Sequence, residues 1–124
     1  MDDQDVFAAI GEEGFERLVA AFYRQVPPDD VLSRLYPQDD LAGAEHRLRD
    51  FLIFRFGGPP RYIEKRGHPR LRMRHAPFAV DSAARDHWLR AMNQAMEEAA
   101  LPPEVKRVLS AYFESTAAAM INTG

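Results

Sequence analysis

The chain has 124 residues, 46% hydrophobic and 28% charged, with a formal net charge of −3 and no cysteine. A chain of this length can bury a core without a disulfide or structural metal, and is expected to form a single domain over 1–124. The absence of cysteine excludes a disulfide framework, an iron–sulfur cluster, a thiolate nucleophile and covalent c-type haem attachment. The mixed, slightly acidic charge gives no footprint for nucleic acid.

The opening Met1-Asp2-Asp3-Gln4-Asp5 lacks the basic-then-apolar pattern of a secretory signal. No apolar run approaches the roughly 18–20 residues of a membrane span, so a cytoplasmic protein is expected. Period 3.6 dominates throughout. The first clear helix is predicted from about Glu13 to Gln25, with Phe15, Leu18, Val19, Phe22, Tyr23 and Val26 on one stripe, and Pro27-Pro28 ends it. Asp29-Asp30 open a short helix carrying Val31, Leu32, Leu35 and Tyr36, closed by Pro37.

A third helix is predicted from about Asp40 to Phe56, with Ala44, Leu48, Phe51 and Leu52 on one face, and Gly57-Gly58-Pro59-Pro60 stops it. Residues 59–80 read as irregular, with one helical turn over Arg61–Arg66 and a short helix from Pro69 to about Ala76. A stretch of that length with little regular structure is usually functional. A long helix follows from Asp81 or Ser82 to about Ala99, carrying Ala84, Trp88, Met92, Ala95 and Ala99. The last starts at Pro103-Glu104 and carries Val105, Val108, Leu109, Tyr112, Phe113, Thr116 and Met120. The fold class is all-α: two pairs of helices flanking an irregular segment.

His75 is the leading candidate for chemistry. It stands near the end of the short helix, between Arg74 and Ala76-Pro77. Neutral imidazole is a strong iron ligand whose second nitrogen a backbone carbonyl can hold. The same residue also reads as an ordinary surface or core histidine. His46, His68 and His87 show no i, i+4 spacing with one another, and no metal-site pattern emerges from them. Tyr23, Tyr36 and Trp88 are three aromatic donors on separate helices that could converge on a polar ligand in an apolar pocket, or be plain core aromatics. Phosphate loops and nucleophile elbows are absent. Composition and spacing alone stop at an all-α domain with a conspicuous histidine.

The words of the sequence go further. The run Arg66-Gly67-His68-Pro69-Arg70-Leu71-Arg72-Met73-Arg74-His75-Ala76-Pro77-Phe78 resembles the proximal-histidine region of group II truncated haemoglobins. So do Leu35-Tyr36-Pro37-Gln38-Asp39-Asp40-Leu41-Ala42-Gly43-Ala44-Glu45, Gly57-Gly58-Pro59 and Arg85-Asp86-His87-Trp88-Leu89, in matching order and spacing along essentially the whole chain. The resemblance implies a truncated globin fold, two helices on two around haem b, with a stubby first helix over Asp5–Ile10. It implies that His75 ligates iron, and that Tyr23, Tyr36 and Trp88 are distal polar residues. Ala44 then takes the place where many globins have a distal histidine, and Leu48 lies over the haem. One departure is the glycine pair before the second globin helix, here split as Gly11 and Gly14.

Under that resemblance Arg47, Arg61, Tyr62, His68 and Arg72 are candidates for the propionates, and Phe51, Leu71, Phe78 and Met92 for apolar haem contacts. The expected function is dioxygen binding or transport, with high affinity and slow release set by the distal hydrogen bonds. Carbon monoxide, nitric oxide and peroxide are further expected ligands. The alternative is a haem enzyme, a nitric oxide dioxygenase or peroxidase-like catalyst served by an external reductase. Monomer and homodimer both stay open.

Overall fold

The computed structural model describes residues 1–36, 38–71, 73 and 79–122. His75, with Arg72 and Phe78, lies outside these residues, as does half of the short helix expected before Pro77. The described residues include five longer α-helices: α1 (Val6–Arg24), α2 (Leu41–Arg55), α3 (Arg61–Arg66), α4 (Ser82–Glu98) and α5 (Pro103–Ala119). No strand occurs among the described residues. Helices α1 and α2 pack together, α4 and α5 pack together, and the two pairs join chiefly where α1 meets α4. No helix among the described residues is long and apolar enough to cross a membrane.

The expected stripes are the buried ones. Phe15, Leu18, Val19, Phe22 and Val26 are fully buried. Leu52, Ile53 and Phe56 close the end of α2, while Met92 and Ala95 of α4 and Val105 and Leu109 of α5 complete the core. Helix starts follow the local chemistry. Asp81 caps α4 by accepting from the Ala84 N–H at 2.8 Å, and Pro103 stands at the first turn of α5, where a missing N–H costs nothing.

Two elements differ from expectation. The stub and the first long helix form one element, Val6–Arg24, broken at Gly11, whose φ of 66° and ψ of −178° are open essentially to glycine alone. Gly11, and not Gly14, is therefore the hinge. The segment after Pro27-Pro28 forms only a 3₁₀ turn, Leu32–Arg34, in place of the expected short helix. The stub docks on the end of α2. The Phe7 N–H donates to the Phe56 carbonyl at 2.9 Å, and Gly57 turns with φ 97° so close to Gln4 that a Cβ would come within 2.2 Å of the Gln4 carbonyl oxygen. At the far end, the Asn122 N–H donates to the Val80 carbonyl at 2.8 Å, and the Val80 N–H returns a bond to Asn122 Oδ1 at 2.9 Å.

Candidate functional site

A cavity of about 350 Å³ opens between α1, α2, α4 and α5, within the roughly 300–1,000 Å³ typical of small-molecule sites. Its lining is mostly apolar: Leu32 and Leu35 from the 3₁₀ turn, Ala44, Leu48, Phe51 and Leu52 from α2, Val80 and Ala84 at the start of α4. Helix α5 adds Tyr112, Phe113, Thr116 and Ala117, with Met120 just beyond it. Tyr62, Arg66 and Leu71 line it ahead of the His75 segment, and Val80 does so after it.

Tyr23, Tyr36 and Trp88 form one wall. The Trp88 indole Nε1–H donates to the Tyr36 hydroxyl at 3.1 Å. Tyr23 stands edge-on to Tyr36, with ring centroids 5.4 Å apart. Phe22 packs behind all three, its centroid 5.1 Å from Tyr23, 6.1 Å from Tyr36 and 5.5 Å from Trp88. Phe113 closes the other face of the indole at 5.4 Å. Each ring is thus held on more than one side, and the hydroxyls and indole are fixed in place by packing.

Burial keeps both phenols protonated. The Tyr36 hydroxyl is pushed up to about 12 by burial, with the Trp88 hydrogen bond pulling the other way. Burial, and to a lesser degree the neighbouring Tyr36, pushes the Tyr23 hydroxyl well above the ordinary tyrosine range, although Arg47 opposes the shift. A phenol that accepts from the indole still has its own O–H to give. Trp88 and Tyr36 therefore form a chain of donors, not two independent ones, and each bond in such a chain strengthens the next.

Of the residues predicted for the site, the structure brings Tyr23, Tyr36, Ala44, Arg47, Leu48, Phe51, Tyr62, Leu71 and Trp88 to the cavity. Met92 does not line it. It is fully buried in the core where α4 crosses α1, next to Ala91, whose carbonyl accepts from Gln25 Nε2 at 2.8 Å. His68 is exposed, its Nδ1 accepting from the Arg70 N–H at 3.1 Å, and it is not part of the lining. Arg61 turns away to Glu12 of α1 and to Asp50 Oδ1 at 3.8 Å.

Two cations were missed: Arg66 and Arg85 line the cavity together with Arg47. Arg85 lies three residues before Trp88, so the helical period already put it on the same face. Arg66 ends a one-and-a-half-turn helix, too short to show any periodicity. Because Arg66 is exposed and Arg47 and Arg85 are half-buried, these guanidinium groups mark the side of the cavity that meets solvent.

A buried carboxylate anchors α3 beside the cavity. Asp50 is 4% exposed. Its Oδ2 lies 3.2 Å from His46 Nε2, and Arg49 Nη2 lies 2.7 Å from His46 Nδ1. Arginine can only donate, so His46 Nδ1 accepts and Nε2–H donates to Asp50.

A mainly apolar cavity between two helix pairs, with aromatic donors on one wall and cations toward solvent, defines a helical protein with a pocket suited to a small molecule that is largely apolar and carries polar or anionic groups. The comparisons agree. The model of the bacterial-like globin family matches residues 5–122. The group 2 truncated haemoglobin YjbI of Bacillus subtilis is 39% identical over 116 residues, covering 94% of this chain and 87% of that protein. Among solved structures, the haemoglobin of Thermobifida fusca is 47% identical with a TM-score of 0.90, covering 94% of this chain and 96% of that one. The truncated oxygen-avid haemoglobin of Bacillus subtilis is 38% identical with a TM-score of 0.90, covering 94% and 98%. The chain belongs to the bacterial-like globin family and has the truncated two-on-two fold. That family implies haem binding and small gaseous ligands.

Proposed function

We propose that the chain holds haem b through His75 and binds dioxygen with high affinity and slow release. The observation that carries this reading is the Trp88–Tyr36 hydrogen bond, set with Tyr23 into the wall of a mainly apolar cavity. The residues present fit the cofactor. Leu48, Phe51 and Leu71 offer apolar contact to a flat macrocycle, Arg47, Arg66 and Arg85 offer partners for its carboxylates, and Tyr62 lies beside them. The His75 segment is flanked in sequence by Leu71 and Val80, both cavity residues, which supports its role as the ligand-bearing segment.

Haem held there would supply a ferrous iron able to bind a diatomic ligand, whose outer atom would carry partial negative charge. The chain's own residues act on that charge. Tyr36 donates its hydroxyl proton toward the cavity while accepting from Trp88, and Tyr23 offers a second phenol. These donors are preorganised in the wall of a mainly apolar cavity, where a hydrogen bond to a charged group contributes about 1.5–3 kcal/mol. Ala44 is small and leaves them room. The oxygen avidity of the Bacillus subtilis relative supports the same reading.

The test is spectroscopic. The purified protein should show a strong Soret band that shifts with carbon monoxide, and His75→Gly should lose haem and regain it with added imidazole. Trp88→Phe should speed dioxygen dissociation roughly tenfold to a hundredfold. A protein that folds but stays colourless with added hemin would overturn the reading, as would a His75→Gly variant with an unaltered spectrum.

A further inference from the structure

Behind the cavity wall, one carboxylate touches both arms that carry the donors. Asp29 Oδ1 accepts from the backbone N–H of Val31 at 2.9 Å and of Leu32 at 2.8 Å. Its carbonyl accepts from the Ser33 N–H at 2.9 Å. Asp29 thereby fixes the start of the 3₁₀ turn whose end presents Tyr36. On its other side, His87 Nδ1 lies 3.0 Å from Oδ1 and 2.9 Å from Oδ2. An ionised carboxylate only accepts, so Nδ1 carries the proton. Burial alone would raise the Asp29 carboxyl, but the Leu32 and Val31 N–H groups and His87 outweigh it and hold the acid below its usual range.

His87 directly precedes Trp88 on α4. The contacts therefore close a ring: Asp29 to the turn, the turn to Tyr36, Tyr36 to Trp88, and His87 back to Asp29. Neither Asp29 nor His87 lines the cavity, so neither can touch haem or its ligand directly. What they fix is the position of the turn relative to α4. A hydrogen bond weakens steeply with misalignment, so small slips between these two elements would be felt at the 3.1 Å Trp88–Tyr36 bond.

We propose that Asp29 and His87 form a positioning clamp that holds the Trp88–Tyr36 donor chain in register and thereby sets the rate at which the bound ligand escapes. This rests on the haem-binding reading above. His87 is a positioning residue, not a catalytic one; the exposed Asp30 brings a carboxylate oxygen within 4.8 Å of the pair and serves as the neighbouring charge to compare.

The experiment uses the haem-loaded protein with two readouts. One is dioxygen dissociation by stopped flow. The other is hydrogen exchange of the Trp88 indole N–H in the diamagnetic ferrous carbon monoxide form, where the single tryptophan gives a single signal. His87→Leu should speed both, the dissociation by roughly threefold to tenfold. His87→Asn, which keeps a donor near the Nδ1 position, should restore both, and Asp30→Asn should change neither. In a Tyr36→Phe background, His87→Leu should add nothing to the dissociation rate. Asp29→Asn keeps an acceptor for Val31 and Leu32 but removes the charge facing His87. It should reproduce the His87→Leu effect if that variant fails to fold.

The clamp is overturned if His87→Leu leaves dissociation and indole exchange at their original values while Tyr36→Phe speeds dissociation. It is also overturned if His87→Leu speeds dissociation equally in the Tyr36→Phe background. If Tyr36→Phe and Trp88→Phe themselves leave dissociation unchanged, the distal-donor reading fails instead. The indole exchange of His87→Leu then still decides whether the clamp exists.

Discussion

On one side of the cavity, four aromatic rings from α1, the 3₁₀ turn and α4 lean on one another, with Phe22 fully buried at their centre. On the other side, α3 is held by a single buried ring, Tyr62 against Phe51 at 5.4 Å, and by charge, Arg61 to Glu12 and Asp50. The aromatic wall is held by dispersion and apolar burial, which salt and moderate pH changes hardly touch. The α3 side adds to its one ring the Arg61 pairs, whose members, Asp50 apart, are partly exposed, and such pairs are weak and screened. A site assembled this way fixes the geometry around the small ligand firmly. It holds the segment leading to His75 by contacts that solvent can compete for.

The largest expected effect is on the aromatic wall. Phe22→Ala should cost about 3–5 kcal/mol of unfolding free energy in a denaturant titration, because it removes a ring that touches three others. A loss under about 1 kcal/mol would mean the wall is not packing-controlled.

A smaller effect is expected for Asp50→Asn, about 1–2 kcal/mol, since His46 and Arg61 can turn to solvent once their partner is neutral. Transfer of haem to a scavenging apoglobin should speed up in this variant. In the parent it should speed up with salt, while dioxygen dissociation stays constant in both cases. Equal salt dependence of the two rates would erase the contrast between the two sides.

The least effect at neutral pH, and the sharpest spectroscopically, concerns the phenols. The folded-state values of Tyr23, Tyr36 and Tyr112 are all raised, chiefly by burial. Above the unfolded value of about 10, the unfolded chain loses protons that the folded one keeps, so stability is whole below that pH and falls as pH rises. Tyrosinate absorbance should therefore lag at pH 10 and appear together with alkaline unfolding. Ordinary ionisation of Tyr23, Tyr36 and Tyr112 in the folded protein would contradict their burial.

Most of the helices could be read in the sequence because their stripes are uninterrupted. The run from Phe15 to Val26 is buried as its period demands, and Asp81 and Pro103 mark their starts by known end chemistry. Reading the site took more than periodicity. The stripe of α4 faces two things at once: Trp88 reaches the cavity and Met92, one turn on, the core, and nothing in a period of 3.6 separates them. Likewise Tyr112, Thr116 and Met120 belong to a stripe that reads as core but lines the cavity. Arg66 and the Asp29–His87 pair depend on tertiary placement, 58 residues of chain separating the latter, and leave no local trace. The resemblance in the motifs around Tyr36 and Trp88 supplied what the pattern could not.

The reciprocal bonds between Val80 and Asn122 join positions 42 residues apart. They fasten Val80, just ahead of α4, to the chain just past α5, so fraying at that point and loosening of the entry to α4 become a single event. Amide protection at Val80 and Asn122 should rise and fall together. Anything fused close to Asn122 would be tugging on the chain that enters α4.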